Sequence, residues 1–572
     1  MGTTYSSRKS SVRHIAPQLF PISKCLLKYI NENFFILYCI LESPVTDPEF
    51  ALRLAELGHK MSFVKEQSFR ETRSVGDVRD ALEHLRIKAV TKVRAFLLEQ
   101  VCKLRKPMAN YQVPQNNMLA KYKAFFEFLL GNERSVAQEV CGEYVETMGK
   151  VYYSYFKAYV SRLMKLQFED CASKDDLMGI DDTVSRGLFH TRTNLKNKGA
   201  VFSLGTRSEV LDAQLRSPII VPHAASKAET KYPYEALFRS LQFALVENGC
   251  REFLFLREFF LVENHPALDL FSQVLGMTLG MLAKNLEHYV SDTYDAIGLL
   301  LCTHITMRYQ QLCRERSVPA LEQYWDSLQT TIWPRFEYIL RLHIQSVKDY
   351  DTNRFNKEMR PHYITRRYAE FSAALVSINE QLPNETVSRM LAQLTEEVEC
   401  LLLRMAALFP QRCEQLVFLI NNLDLILSVH AEHAREDSRE TSGIRDHLSQ
   451  RSAEYVEEVL RPHFGAIMQF VKEGEAMVAR GRGDELKKQE GKCMSIAQKF
   501  SACWRTALER LSQEVLSSFP SLKTGSQLLQ LALSTLVAYH HRLYALLPAS
   551  AQAALTNKHH LMVEIKKYKT SF

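Results

Sequence analysis

Apolar residues recur at helical spacing along most of this chain, and near its start the spacing tightens to a heptad. From Phe50, steps of four and three visit Leu54, Leu57, Met61, Val64, Ser68, Glu71, Val75, Val78, Leu82, Leu85 and Ala89. Ser68 and Glu71 are the polar residues on that ladder. A period of 3.5 keeps one narrow seam turned toward a neighbour and leaves the other positions free to be charged. The pattern predicts a coiled-coil assembly helix over residues 41–104. Its seam (Phe50, Leu54, Leu57, Met61, Val64, Val75, Val78, Leu82 and Leu85) needs a partner helix to be buried. Arg105-Lys106-Pro107 ends the run, because proline disfavours helix in the residue before it.

The rest of the chain divides by the same criterion. Residues 1–40 hold no sustained period and read as poorly structured. Residues 105–172 read as a helical segment, with a tyrosine-rich stripe through Val140, Tyr144, Val151, Tyr155 and Tyr159. Periodicity vanishes over 173–230, where acidic pairs, glycines, Pro218 and Pro222 mark an extended linker. From 231 to 572 helices follow one another with joins marked by proline or glycine, one of them expected to run unbroken from 266 to 316. The fold class expected is all-α: an N-terminal coiled-coil helix followed by an elongated rod of helical bundles.

Composition narrows the function. Hydrophobic residues at 46% with 24% charge describe a folded chain, and 21 glycines in 572 residues are too few for loop-rich phosphate sites or large sandwiches. The 72 basic residues are interspersed with 65 acidic ones, so no basic stripe marks a nucleic-acid binder. Twelve cysteines without a CxxC pair read as reduced thiols of a cytosolic protein. No apolar run reaches the roughly 20 residues that cross a bilayer; FFILYCIL at 34–41 is the most apolar stretch near the start.

Candidate chemistry is sparse. His430 and His433 stand at i, i+3 without a third ligand, while His540-His541 and His559-His560 are neighbours that point about 100° apart on a helix. Asp175, Asp176, Asp181 and Asp182 lack the order of an EF-hand loop. No P-loop, GxSxG or HExxH string occurs. The reading is therefore a non-enzyme with no catalytic residue, no metal and no cofactor. Two surfaces remain. Ile364, Tyr368, Phe371, Leu375, Ile378 and Leu382 form a stripe that reads as a core face, flanked by Tyr363, Arg366 and Arg367 as a possible partner-docking patch. Lys566, Lys567 and Lys569 cluster near the C-terminus, where they read as solvated or as a lipid contact.

Several strings together resemble the vacuolar protein sorting fifty-two family, also called the Sac-two family. They are RKPMANYQVPQ (105–115), FLLGNER (128–134), KDDLMGIDDT (174–183), FSLGTR (202–207), RPHYITRRYAEFSAALVSIN (360–379), QLVFLINN (415–422) and HHLMVE (559–564). Order and spacing fit from about Leu41 to Phe572. The family's coiled coil is longer at its front, so residues 1–40 read as an atypical start. The resemblance implies a CATCHR-type tether: a subunit of the Golgi-associated retrograde protein complex (GARP) and its endosomal sister (EARP). It implies binding to the other subunits through the N-terminal coiled coil, and contacts with SNAREs and Golgi Rab-type small GTPases. It also implies a cytosolic protein, peripheral on trans-Golgi network and endosome membranes, that acts in retrograde transport and endocytic recycling. A coiled-coil scaffold linking cytoskeleton and membranes is the alternative that the seam alone allows.

Overall fold

The computed structural model describes residues 40–67, 73–105, 112–168, 172–181, 201–211, 218–433, 439–482 and 489–568. Among these residues regular structure is helical, apart from one isolated bridge between Gln167 and Tyr232. The chain separates into two compact units. The first comprises Met1–Phe168, Ala213–Tyr289 and Ile305–Thr331; the second comprises Glu169–Asp212, Val290–His304 and Ile332–Phe572.

In the first unit the heptad ladder is shared between two helices, α1 (Pro48–Gln67) and α2 (Arg73–Lys103). They pack against each other antiparallel: Lys92 Nζ on α2 donates to the carbonyls of Leu41 and Ser43, at 2.7 and 3.3 Å, just ahead of α1. The expected single assembly helix is thus a hairpin, and Ser68 and Glu71 fall outside the described residues. α3 (Gln112–Asn132) and α4 (Arg134–Leu163) complete the layer. Phe125 of α3 meets the rings of Phe50 on α1 and Phe96 on α2, with centroids 5.9 and 6.0 Å away. α2 and α4 run parallel, tied by Arg86–Glu133 at 3.0 Å, Arg94–Glu139 and Arg105–Glu143. Exposed pairs of this kind contribute at most about 1 kcal/mol, so apolar burial decides the packing.

After the short α5 (Pro222–Lys227), α6 (Tyr234–Phe259) is buried on nearly every face. That burial carries Glu252 into the core with no accessible surface. Its carboxylate accepts three hydrogen bonds of 2.8 Å, from Tyr144 and Tyr152 hydroxyls on α4 and from Gln115 Nε2 on α3. Tyr144 of the tyrosine stripe therefore has a polar purpose inside the core, shared with Tyr152, which lies off that stripe. Tyr155, further along it, is exposed, and Tyr159 is buried with its hydroxyl 2.7 Å from Ser240. Burial pushes the Glu252 carboxyl above its ordinary 4.5, against the pull of the three donors.

The helix expected over 266–316 is two helices, α7 (Asn264–Asp292) and α8 (Ala296–Glu315). Asp295 makes the break, because its side chain accepts the Gly298 N–H at 2.9 Å and caps the start of α8. By length and composition alone α7 is apolar enough to cross a membrane, against the expectation that no segment is. Ala267, Phe271, Val274, Leu275, Leu282 and Leu286 on it are buried, the pattern of a core-facing stripe.

The second unit continues with α9 (Glu322–Lys348, its first turns in the first unit), α10 (Tyr363–Asn379), α11 (Glu385–Ala406) and α12 (Arg412–His433). Then come α13 (Arg439–Ala479), α14 (Glu490–Ser518), α15 (Leu522–Leu546), α16 (Ala549–Ala554) and α17 (Lys558–Lys566). One apolar core runs through α12 to α17, with Tyr455, Phe464, Trp504, Leu508 and Leu536 buried in it. The Asn384-Glu385-Thr386 sequon is a helix start: Asn384 Oδ1 accepts the Thr386 N–H at 2.9 Å and caps α11.

Removing one donor from a buried carboxylate leaves it undersatisfied, so Tyr152→Phe is expected to lower unfolding free energy by about 1–3 kcal/mol in urea titration. The native Glu252 keeps its proton at pH values where the unfolded chain has lost it. Its contribution is fully present below pH 4.5 and declines as pH rises through the native value. Glu252→Gln is expected to flatten that decline above pH 4.5; equal pH slopes for the two proteins would contradict it.

Candidate interaction surfaces

The heptad seam closes at one end of the α1–α2 hairpin and opens at the other. Phe50, Leu54 and Leu57 are buried on α1, and Leu82, Leu85 and Ala89 on α2. Toward the far end Met61, Val64 and Val78 are half-buried, and the Val75 side chain lies outside the described set. Phe63 is 62% exposed beside Met61 and Val64; Leu52 at 63% and Ile87 at 50% face outward on the same two helices. Five of the nine predicted seam residues are thus engaged within this chain. A period of 3.5 specifies that a helix needs a neighbour without specifying whose helix it is.

A second feature gathers four of the strings that carry the family resemblance. Residues 172–181 cross α9 and α10 as a strap. Met178 N–H donates to His343 Nδ1 at 3.2 Å, and Gly179 N–H to Ser346 Oγ at 3.0 Å. The Arg367 guanidinium donates to the carbonyls of Met178 and Ile180, at 3.3 and 2.6 Å, and lies over the rings of Phe202 and Tyr363. Gly179 has no alternative here, since a Cβ on it would stand 2.0 Å from the Ser346 carbonyl oxygen. Phe202 packs on His343 and Phe371, and Arg207 pairs with Asp295 at 2.5 Å, at the cap of α8. On α12, Asn422 Oδ1 accepts from His362 N–H and Thr365 Oγ1 at 2.9 and 2.7 Å. The linker expected over 173–230 is therefore docked wherever it is described between 172 and 211.

The proposed patch divides accordingly. Tyr363 and Arg367 are half-buried and turned to the strap, while Arg366 is exposed. Ile364, Tyr368, Phe371, Leu375 and Ile378 are core residues and Leu382 is half-buried. His430 is buried with Nε2 2.8 Å from Ser372 Oγ, whereas His433 is exposed 3.8 Å from Glu370. Among the described residues no group of three or more His, Cys, Asp or Glu is placed to hold a metal. Lys567 pairs with Glu564 at 2.8 Å, and Lys569 lies outside the described residues. Sequence reasoning missed His343, Ser346 and Gly179. The one signal for them was a glycine inside a short apolar piece flanked by acidic pairs.

Two family models match the chain: Vps52/Sac2 family, coiled-coil, over residues 34–129, and Vps52, C-terminal, over 146–456. The first begins ahead of Leu41. The chain is 48% identical over 545 residues to the vacuolar protein sorting-associated protein 52 homolog of Canis lupus familiaris, covering 94% of this chain and 75% of that protein. It is 48% identical over 541 residues to the Homo sapiens homolog, with 93% and 75% covered. Against the Caenorhabditis elegans homolog identity is 34% over 574 residues, with 96% and 80% covered. Among solved structures, one of exocyst subunit Exo70p and the Exo84p C-terminal domains aligns at TM-score 0.46 and 11% identity, covering 96% of this chain and 99% of that one.

The strap depends on a neutral His343, whose Nδ1 accepts. Burial holds His343, His362 and His430 down at about 4, against 6.5 in an unfolded chain. The unfolded chain therefore binds more protons between those values, and stability is lost as pH falls from about 6.5 toward 4. His343→Asn keeps an acceptor and should make that loss shallower in melting curves. Gly179→Ala should free the strap at a cost of about 2 kcal/mol or more, seen as new proteolytic cleavage near Leu177–Ile180. An unchanged digestion pattern would contradict it.

Proposed function

The chain belongs to the Vps52/Sac2 family, and from that membership we propose that it is a non-catalytic subunit of a multisubunit vesicle tether, of the GARP and EARP type. Its task on this reading is to help capture endosome-derived carriers at the trans-Golgi network and to support endocytic recycling. It works from the cytosol as a peripheral membrane component. SNAREs and Golgi Rab-type small GTPases are its membrane-bound contacts, and no cofactor takes part.

The observation that carries this proposal is the match of the two family models, over residues 34–129 and 146–456, with the α1–α2 hairpin inside the first. The hairpin supplies a physical route to assembly. Phe50, Leu54, Leu57, Leu82 and Leu85 hold its two helices together, and the half-open seam at Met61, Val64 and Val78, beside exposed Phe63, offers the apolar contact for helices of the other subunits. Assembly then places several weak contacts to membrane factors on one particle, and avidity makes capture effective without any strong single contact.

Two pairs of substitutions separate building the hairpin from using it. Met61→Asp with Val64→Asp is expected to leave thermal unfolding nearly unchanged and to cut co-purification of the other subunits about tenfold or more, a loss of at least ~1.4 kcal/mol. Leu57→Asp with Leu82→Asp buries two carboxylates and is expected to cost the hairpin its fold as well as its partners. Wild-type recovery of partners with the first pair would place assembly elsewhere on the chain.

A further inference from the structure

The last described helix, α17, meets the apolar core of the second unit with one narrow face. Leu561 and Ile565 are buried in that core, and Tyr568 packs at its edge. The approach to the helix is pinned from two sides. Ser501 Oγ on α14 donates to the Ala554 carbonyl at 3.0 Å and accepts the Thr556 N–H at 2.9 Å. His540 Nε2 on α15 donates to the Thr556 carbonyl at 2.8 Å, and Asn557 caps the helix by accepting the His559 N–H at 2.8 Å. The fold therefore sets which residues α17 turns outward.

Residues on a helix step round its axis by about 100°, so Met562 falls between Lys558 and Lys566, and Val563 between Lys566 and Lys567. All five are exposed, Met562 at 43% and Val563 at 60%. His559 and His560 are exposed on the same arc. Two carboxylates stand at its inner edge. Glu564 is half-buried and paired with Lys567 at 2.8 Å, and Glu509 of α14 lies by Tyr568. Two exposed apolar side chains by themselves would be ordinary. Their placement between lysines, on the convex face of a helix held by its opposite side, is a specific arrangement.

We propose that this face of α17 is a contact for the surface of an anionic phospholipid membrane, which rests on the peripheral-membrane reading above. A helix lying in the plane of a bilayer sets its apolar residues below the head groups, while the lysines beside them carry their ammonium groups up to the phosphates. Met562 and Val563 meet the first demand, and Lys558, Lys566 and Lys567 the second. An acidic protein surface would use the lysines and leave the apolar pair without a purpose. A neutral bilayer would use the apolar pair and waste the cations. So small a contact is weak alone, and it gains effect on a particle already held by other contacts.

The test is flotation of the full chain with vesicles of phosphatidylcholine alone and of phosphatidylcholine mixed with phosphatidylserine. Recovery is expected with the mixed vesicles, falling as salt is raised. Lys558→Ala with Lys566→Ala should cut that partitioning about tenfold or more. Met562→Ser with Val563→Ser should also lower it, and both pairs should leave thermal unfolding unchanged. In the wild-type chain a photoactivatable phosphatidylserine should label the peptide that holds Met562 and Val563, which decides the matter even where a variant fails to fold. Equal recovery on the two kinds of vesicle, or wild-type recovery by both pairs of variants, would overturn the proposal. So would lipid labelling confined to other peptides, which would leave this face to solvent or to an acidic protein. A chain that floats with neither vesicle, yet co-purifies with other subunits and reaches membranes in cells, would overturn it too and leave the tether reading standing.

Discussion

Each helix here has to exclude water from an apolar stripe, and among the described residues another helix is what covers it. Where one helix is enclosed by several others, as α6 is, polar groups travel into the core with it. Those groups then have to be matched one by one. Glu252 finds two tyrosines and a glutamine, Asn422 finds Thr365 and the start of α10, and His430 finds Ser372. An unmatched buried carboxylate would be expensive, so these contacts fix which helix faces lie together as well as how tightly they pack.

The same constraint separates what the two features do. In the strap, a segment without periodicity is held by directional bonds with Arg367, His343 and Ser346, and its Leu177 and Met178 are buried. It is built as part of the second unit: the Arg367 guanidinium is spent inward on its carbonyls, while its own Lys174 and Asp175 stay exposed. In the hairpin, apolar residues close the base and leave the seam part-open at Met61, Val64 and Val78. A surface left incompletely covered in this way is where association with a further helix removes the most water.

Much of this was legible in the sequence. The all-α class followed from periodicity and glycine scarcity, and the family from long strings in order. The core stripe from Ile364 to Ile378 was readable because a single face carried it. What could not be read had specific causes. A heptad does not name the helix that covers it, so the reversal between Gln67 and Arg73 was invisible, with the phase unbroken through it. Asp295 signals a cap only once a helix is known to start there, so α7 and α8 were merged. Arg367 reads as a surface charge until residues some 190 positions earlier in the chain are placed over it. The docking patch drawn around it mistook an internal clamp for an outward contact at Tyr363 and Arg367, and left Arg366 as its exposed member.

The central claim is that this chain acts only as part of a larger helical assembly, joined through the open end of its own hairpin. The most direct measurement is the mass of the endogenous protein's native particle, by light scattering on a gentle cell extract fraction, together with crosslinks from Lys60 and Lys65 on α1. The account predicts a particle several times the 65.9 kDa of the chain, with those lysines linked to other subunits. A particle of 65.9 kDa, with α1 crosslinked only to its own chain, would contradict it.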